Sequence, residues 1–194
     1  MSRYQSNSSY CYEGTDILIN KFNIRNQAKL DELEKLYTML RLAQLSEREP
    51  LNEFSSHSFK EIHRIIFGDI YSFAGEFRTE GISKGTSFFA HPSFINEEAE
   101  RIFNELNEEH LLKGLPVEKF AHRLSYFLSE LNALHPFREG NGRTIRELAR
   151  QIALKSHYEL DWSKASSKET IEAFIQSFHG KLYDLSSLIF RCIC

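Results

Sequence analysis

Three cysteines are all that this 194-residue chain contains, and their number is odd: Cys11, Cys192 and Cys194. That excludes a paired disulfide framework and fits a reducing compartment. No other Cys or His stands at zinc spacing from Cys192 and Cys194, so neither is expected to hold a metal. Long apolar runs are missing too. Nothing approaches the roughly 18 residues that cross a bilayer, so no membrane partner is expected. The opening residues, 1 to 9, are polar and lack the apolar core of a secretory signal. Cytoplasmic residence is the expectation, with export as an effector by a signal-independent route compatible with it. Positive charge is not in excess, since 24 Lys and Arg face 27 Asp and Glu for a net −3. A broad nucleic-acid surface needs clustered Lys and Arg in surplus, so no nucleic-acid partner is expected. Repeats, linkers and low-complexity segments are absent, and one domain over residues 1 to 194 follows. Also absent are a serine elbow, a His-Glu-x-x-His zinc motif and the Lys-Ser/Thr ending of a P-loop.

What is present is mostly helix. Residues 1 to 14 read as a short extended segment, with Tyr10 and Tyr12 alternating. Gly14, Thr15 and Asp16 read as a turn leading into a helix cap. Leu30, Leu33, Leu36, Tyr37 and Leu40 recur at helical spacing over residues 26 to 45, a packing face without assigned chemistry. A second helix is predicted over 58 to 67, with Phe59, Ile62, Ile65 and Ile66 inward. Residues 79 to 90 carry the one convincing strand signal, a small hairpin topped by Lys84 and Gly85, in which Phe88 and Phe89 read as core. Helices are then predicted over 97 to 109 and 116 to 134. The second of these is strongly apolar through Phe120, Leu124, Phe127, Leu128 and Leu131, and Pro136 ends it at His135. Past Asn141, Ile145, Leu148, Ala149, Ile152 and Ala153 form one stripe, which places Arg143, Arg146 and Arg150 on the other side. A last helical region spans 168 to 190, including Phe174, Ile175, Phe178, Leu182 and Leu185. The fold class is therefore all-α with one small β-hairpin.

Chemistry concentrates in residues 135 to 146, His-Pro-Phe-Arg-Glu-Gly-Asn-Gly-Arg-Thr-Ile-Arg. With a helix starting near Asn141, backbone N–H groups and the positive helix end converge where an anion such as phosphate fits. Glu139 is a carboxylate suited to Mg²⁺ beside those phosphates. His135 can take a proton from an attacking hydroxyl. Gly140, Asn141 and Gly142 alone also fit a plain inter-helix turn with Asn as N-cap. Such a turn has no use for Glu139, Arg143 and Arg146 together.

The stretch matches in full the motif of the Fic (filamentation induced by cyclic AMP) family, His-Pro-Phe-x-Glu-Gly-Asn-Gly-Arg-x-x-Arg. The likeness continues through residues 10 to 16, 69 to 75 and 82 to 85, so the chain resembles that family over nearly its whole length. The resemblance implies a Fic-fold helical bundle with one β-hairpin flap at about 79 to 90. It implies transfer of AMP from ATP to a hydroxyl of a target protein, with ATP as substrate and Mg²⁺ as cofactor. His135 would be the base and Glu139 the Mg²⁺ ligand. Gly140, Asn141 and Gly142 would form the anion nest, and Arg143 and Arg146 would hold the β- and γ-phosphates. Ile82, Ser83, Thr86, Ser87 and Phe88 would align the target backbone, with Lys84 and Gly85 near the nucleotide. Members that phosphorylate or transfer phosphocholine differ inside the loop, where this chain keeps Glu139, Gly140, Gly142 and Arg143. The alternative is an autoinhibited or regulatory nucleotide-binding member with little turnover.

The family is commonly inhibited by a helix bearing Ser/Thr-x-x-x-Glu-Gly/Asn, whose Glu pairs with the second arginine. Ser9 to Gly14 matches it, making Glu13 a possible inhibitory residue in cis. That tract nevertheless reads as extended, and its Tyr-x-Tyr-x-Gly-Thr-Asp setting is similar to the opening of members controlled by a separate small antitoxin. The expectation is a chain active without further activation, with an antitoxin as partner. By the same resemblance, the ATPase subunit of a type II topoisomerase is the first candidate target.

Overall fold

The helix Val117–Leu134 (α4) is the hub, because its apolar residues face inward all round. Phe120, Leu124, Phe127, Leu128 and Leu131 are all essentially inaccessible to solvent. Fully burying each such side chain contributes about 1.5–3 kcal/mol. In this computed structural model, which describes residues 8–84 and 87–193 without the side chains of Lys84 and Ser87, α4 packs on four other helices. These are Ile95–Glu108 (α3), Asn141–Lys155 (α5), Ser167–Phe178 (α6) and Tyr183–Cys192 (α7). The expected stripe of Ile145, Leu148, Ala149, Ile152 and Ala153 on α5 is wholly buried.

Two helices precede this bundle. Gln27–Ser46 (α1) starts at Asn26, whose side chain accepts from the Lys29 N–H. Ser56–Phe67 (α2) starts with a reciprocal capping box between Ser55 and Ser58. The helix α2 buries Phe59, Ile62, His63, Ile66 and Phe67 against α3 and α5, while α1 packs on α2. Arg41 of α1 grips Asp69 through two bonds of 2.6 and 2.9 Å. Two short strands, Ser83–Lys84 (β1) and Ser87–Phe88 (β2), pair antiparallel with Ser83 opposite Phe88. Gly85 and Thr86 lie outside the described residues, as does Cys194. No described helix is long and apolar enough to cross a membrane.

Several expectations are corrected. No helix begins at Thr15 or Asp16, because the Thr15 hydroxyl donates back to the Tyr12 carbonyl at 2.9 Å and accepts from the Ile17 N–H. This local side-chain bonding makes a turn instead, and a bridge between Cys11 and Leu18 closes it. The last helical region is two helices. Gly180, at φ 78°, breaks it in the left-handed conformation that ends helices cheaply only at glycine. Ile175 is consequently half exposed. On α1, Leu36 and Leu40 face solvent at 60% and 51%, not the core. Phe88 is not core either, at 81% exposed, while its neighbour Phe89 turns inward.

Candidate active site

His135 sits one residue past the last turn of α4, at φ 47° and ψ 59°, where the following proline keeps it out of the helix. Its backbone N–H still closes on Leu131 at 3.0 Å. Its Nδ1 lies 3.4 Å from the Asn132 carbonyl oxygen, a position for an N–H that leaves the lone pair on Nε2. The Phe89 ring stacks on the imidazole at 3.9 Å and 19°. Arg78 holds the backbone here. Its Nε donates to the His135 carbonyl at 2.8 Å, Nη1 to Glu80 at 2.8 Å, and Nη2 to Ala90 at 2.6 Å and Leu134 at 3.3 Å. One buried guanidinium thus ties both ends of the hairpin segment to the end of α4. Burial lowers its pKa to about 10.

The loop turns on Phe137 and Asn141. Phe137 is completely buried, stacked on the His63 ring at 3.9 Å and 11°. The Asn141 side chain is spent on the loop itself, accepting from the Phe137 N–H at 2.9 Å and donating to the Phe137 carbonyl at 2.7 Å. Asn141 is therefore the first helical residue and not the N-cap that a plain turn would make it. Gly140 is the cap, at φ 83°. A Cβ there would come within 2.2 Å of the Phe67 ring, so only glycine fits. The first intrahelical bond runs from Thr144 to Gly140, which leaves the N–H groups of Asn141, Gly142 and Arg143 without helical acceptors. These three donors face the space that an anion would fill.

Glu139 turns its Oε1 back onto the Gly140 N–H at 2.9 Å, with Arg143 Nη2 3.8 Å away. It is one carboxylate, and no group of three or more metal-binding side chains exists among the described residues. A single carboxylate could hold Mg²⁺, which keeps several waters and takes its other oxygens from a nucleotide. Arg143 donates to Glu34 Oε1 at 2.5 Å and to Thr38 Oγ1 at 3.2 Å. Arg146 is different. Its Nη1 lies 3.4 Å from where a Cβ on Gly142 would sit, and it has no carboxylate or carbonyl acceptor among the described residues. Its pKa is lowered by burial and then by Arg143 beside it.

The structure therefore gathers His135, Glu139, Gly140, Asn141, Gly142, Arg143 and Arg146 at one helix start. Ile82, Ser83 and Phe88 lie on the adjoining hairpin, where the Ile82 carbonyl accepts from Phe89 at 3.4 Å. Gly85, Thr86 and the side chains of Lys84 and Ser87 fall outside the described residues. Glu13 sits exposed in a turn, with no ion pair to Arg146 among the described residues. Arg150 leaves the cluster to pair with Glu147 at 2.7 Å. Sequence reasoning missed Glu34, His63, Arg78 and Phe89. Of these, Phe89 lay within a stretch already singled out, whereas Glu34, His63 and Arg78 carried no local signal.

An imidazole, a carboxylate, three helix-start N–H groups without helical acceptors and a partly buried arginine thus meet at the start of α5 in a helical protein. The chain belongs to the Fic/DOC family, whose model matches residues 53–153. It is 40% identical to "Probable protein adenylyltransferase y4lH" of Sinorhizobium fredii, covering 100% of both chains. It is 38% identical to "Protein adenylyltransferase VbhT" of Bartonella schoenbuchensis over 98% of this chain, which spans 40% of that protein. Among solved structures it superposes on the "Type IV secretion system effector protein BepA" with TM-score 0.87 and 27% identity, covering 95% of this chain and 68% of that one. It shares its fold with BepC of Bartonella tribocorum, solved with bound AMPPNP, at TM-score 0.89 and 23% identity, over 95% and 96%.

Proposed function

We propose that this chain is a protein adenylyltransferase, moving AMP from ATP to a hydroxyl side chain of another protein. The observation that carries the reading is Arg146, a partly buried cation with no acceptor among the described residues, beside three orphan N–H groups and an imidazole. Among the described residues Arg146 has no carboxylate partner, and a triphosphate would supply the negative charge.

In the reaction, His135 Nε2 takes the proton of the target hydroxyl while that oxygen attacks the α-phosphorus. The bond from the α-phosphorus to its bridging oxygen breaks, and pyrophosphate leaves with the electron pair. Stacking by Phe89 and anchoring by Arg78 hold the imidazole where the attacking oxygen must pass. The N–H groups of Asn141, Gly142 and Arg143 hold phosphate oxygens through fixed dipoles, and Arg143 and Arg146 hold the β- and γ-phosphates. Glu139 would hold Mg²⁺, which would supply positive charge beside the phosphates. The paired strands Ser83–Lys84 and Ser87–Phe88 would align the target backbone by strand pairing.

One Fic domain spans residues 1 to 194. Control comes from a separate antitoxin, since Ser9 to Gly14 forms a turn and bridge and not a helix. A cytoplasmic ATPase subunit of a type II topoisomerase is the first target to try. ATP labelled at the α-phosphate, incubated with the chain and a lysate, is expected to label protein, and His135→Ala is expected to abolish that. Transfer from the γ-phosphate in place of the α-phosphate would overturn the reading.

A further inference from the structure

Helix α1 contributes no residue to the loop of 135 to 146, yet it delivers a carboxylate to the loop's first arginine. Glu34 Oε1 accepts from Arg143 Nη2 at 2.5 Å, and Thr38, one turn later, accepts from Nη1 at 3.2 Å. The guanidinium also lies over the Phe67 ring, 4.7 Å from its centre. Glu34 is itself held, because its Oε2 accepts from the hydroxyl of Tyr71, a residue only 2% exposed. The Glu34 side chain is 14% exposed, so turning away would break a largely buried hydrogen bond.

We propose that Glu34 is a positioning residue for Arg143, fixing its guanidinium for the β- and γ-phosphates before nucleotide arrives. This rests on the reading of Arg143 as a phosphate ligand. An unrestrained arginine loses rotamer freedom when it binds, and one already held loses less. Glu34 and Thr38 each occupy one N–H of the five that a guanidinium carries, which leaves Nε and the second hydrogens of Nη1 and Nη2 for phosphate oxygens. The opposite role would be a latch that nucleotide must displace. A latch needs a carboxylate able to swing into water, and Tyr71 holds Glu34 in place. The two arginines thus differ: Arg143 is held and geometrically defined, whereas Arg146 has no carboxylate partner among the described residues.

The test is calorimetric binding of ATP and of AMP to the full chain, in the parent, Glu34→Ala, Glu34→Gln, Arg143→Ala and the double Ala variant. AMP lacks the phosphates that Arg143 would hold, so it reports on the rest of the site. Glu34→Ala is expected to weaken ATP on the order of tenfold and leave AMP unchanged within about twofold. Glu34→Gln keeps an acceptor for Arg143 and should retain ATP within about threefold of the parent. Arg143→Ala should weaken ATP at least as much as Glu34→Ala does, and adding Glu34→Ala to it should cost nothing more. ATP binding that is unchanged or tighter in Glu34→Ala, with Arg143→Ala weakened, overturns the inference and leaves the phosphate reading intact. Arg143→Ala binding ATP like the parent overturns both. Equal loss of AMP and ATP in Glu34→Ala marks general damage and also overturns the inference. If Glu34→Ala fails to fold, Glu34→Gln and Tyr71→Phe carry the comparison: positioning predicts selective loss of ATP in Tyr71→Phe, and unchanged ATP affinity there overturns it.

Discussion

His63 donates its Nε2–H to the backbone carbonyl of Glu139 at 2.9 Å, because its Nδ1 is already the acceptor for the Gly75 N–H at 2.8 Å. Two backbone groups on separate loops therefore assign the tautomer of a buried imidazole and require it neutral. The carbonyl so held belongs to the residue just before the Gly140 cap, so α2 helps to fix where α5 begins.

A pH dependence of stability follows. Burial lowers the His63 pKa from 6.5 to about 4. Between those values the unfolded chain binds a proton that the folded chain refuses, so stability falls as pH drops through this window and levels off below pH 4. From pH 7.5 to pH 5 this one group removes about 2 kcal/mol of folding free energy. Urea unfolding of the parent and of His63→Gln at both pH values measures it. The variant's loss between the two should be smaller by that amount, and parallel losses would count against the assignment.

Gly140 tolerates no side chain. At φ 83°, with the Phe67 ring 2.2 Å from the point a Cβ would occupy, Gly140→Ala combines left-handed strain with a hard clash. A stability loss of about 2–4 kcal/mol is expected, together with loss of AMP transfer. Thermal unfolding and α-phosphate labelling are the readouts, and a variant within about 0.5 kcal/mol of the parent would show that the loop accommodates a Cβ.

Arg78 is expected to be irreplaceable even by lysine. Four carbonyls, on Glu80, Ala90, Leu134 and His135, depend on one planar fork, and a single ammonium cannot reach them all. Arg78→Lys should cost about 2–4 kcal/mol, since buried carbonyls lose their donors. Chemical denaturation checks the number, and labelling should fall further than the unfolded fraction explains because the His135 backbone loses its anchor.

Phe89→Ala removes the ring stacked on His135. Stacking of this kind is worth about 0.5–1.5 kcal/mol, so kcat should fall by up to roughly tenfold with KM for ATP unchanged. Phe89→Tyr should retain most of the rate. An unchanged kcat in Phe89→Ala would show that the imidazole needs no such support.

Much of this protein was legible in residue order, where the physics is local. Helical periodicity located α1 to α5 to within a few residues. Pro136 stopped α4 at His135, and the spacing of the dozen residues from His135 to Arg146 within one loop brings their groups together whatever surrounds it. Where a glycine or a hydroxyl acted over a few residues, the reading was less secure: Gly180 split the last helix, and Thr15 turned a cap into a bend. Tertiary structure alone decided the rest. Glu34 reaches Arg143 across 109 positions, His63 reaches Glu139 across 76, and Arg78 reaches His135 across 57. No spacing rule spans such separations, because they exist only once α1 and α2 have packed against the bundle and brought their side chains to a loop far along the chain.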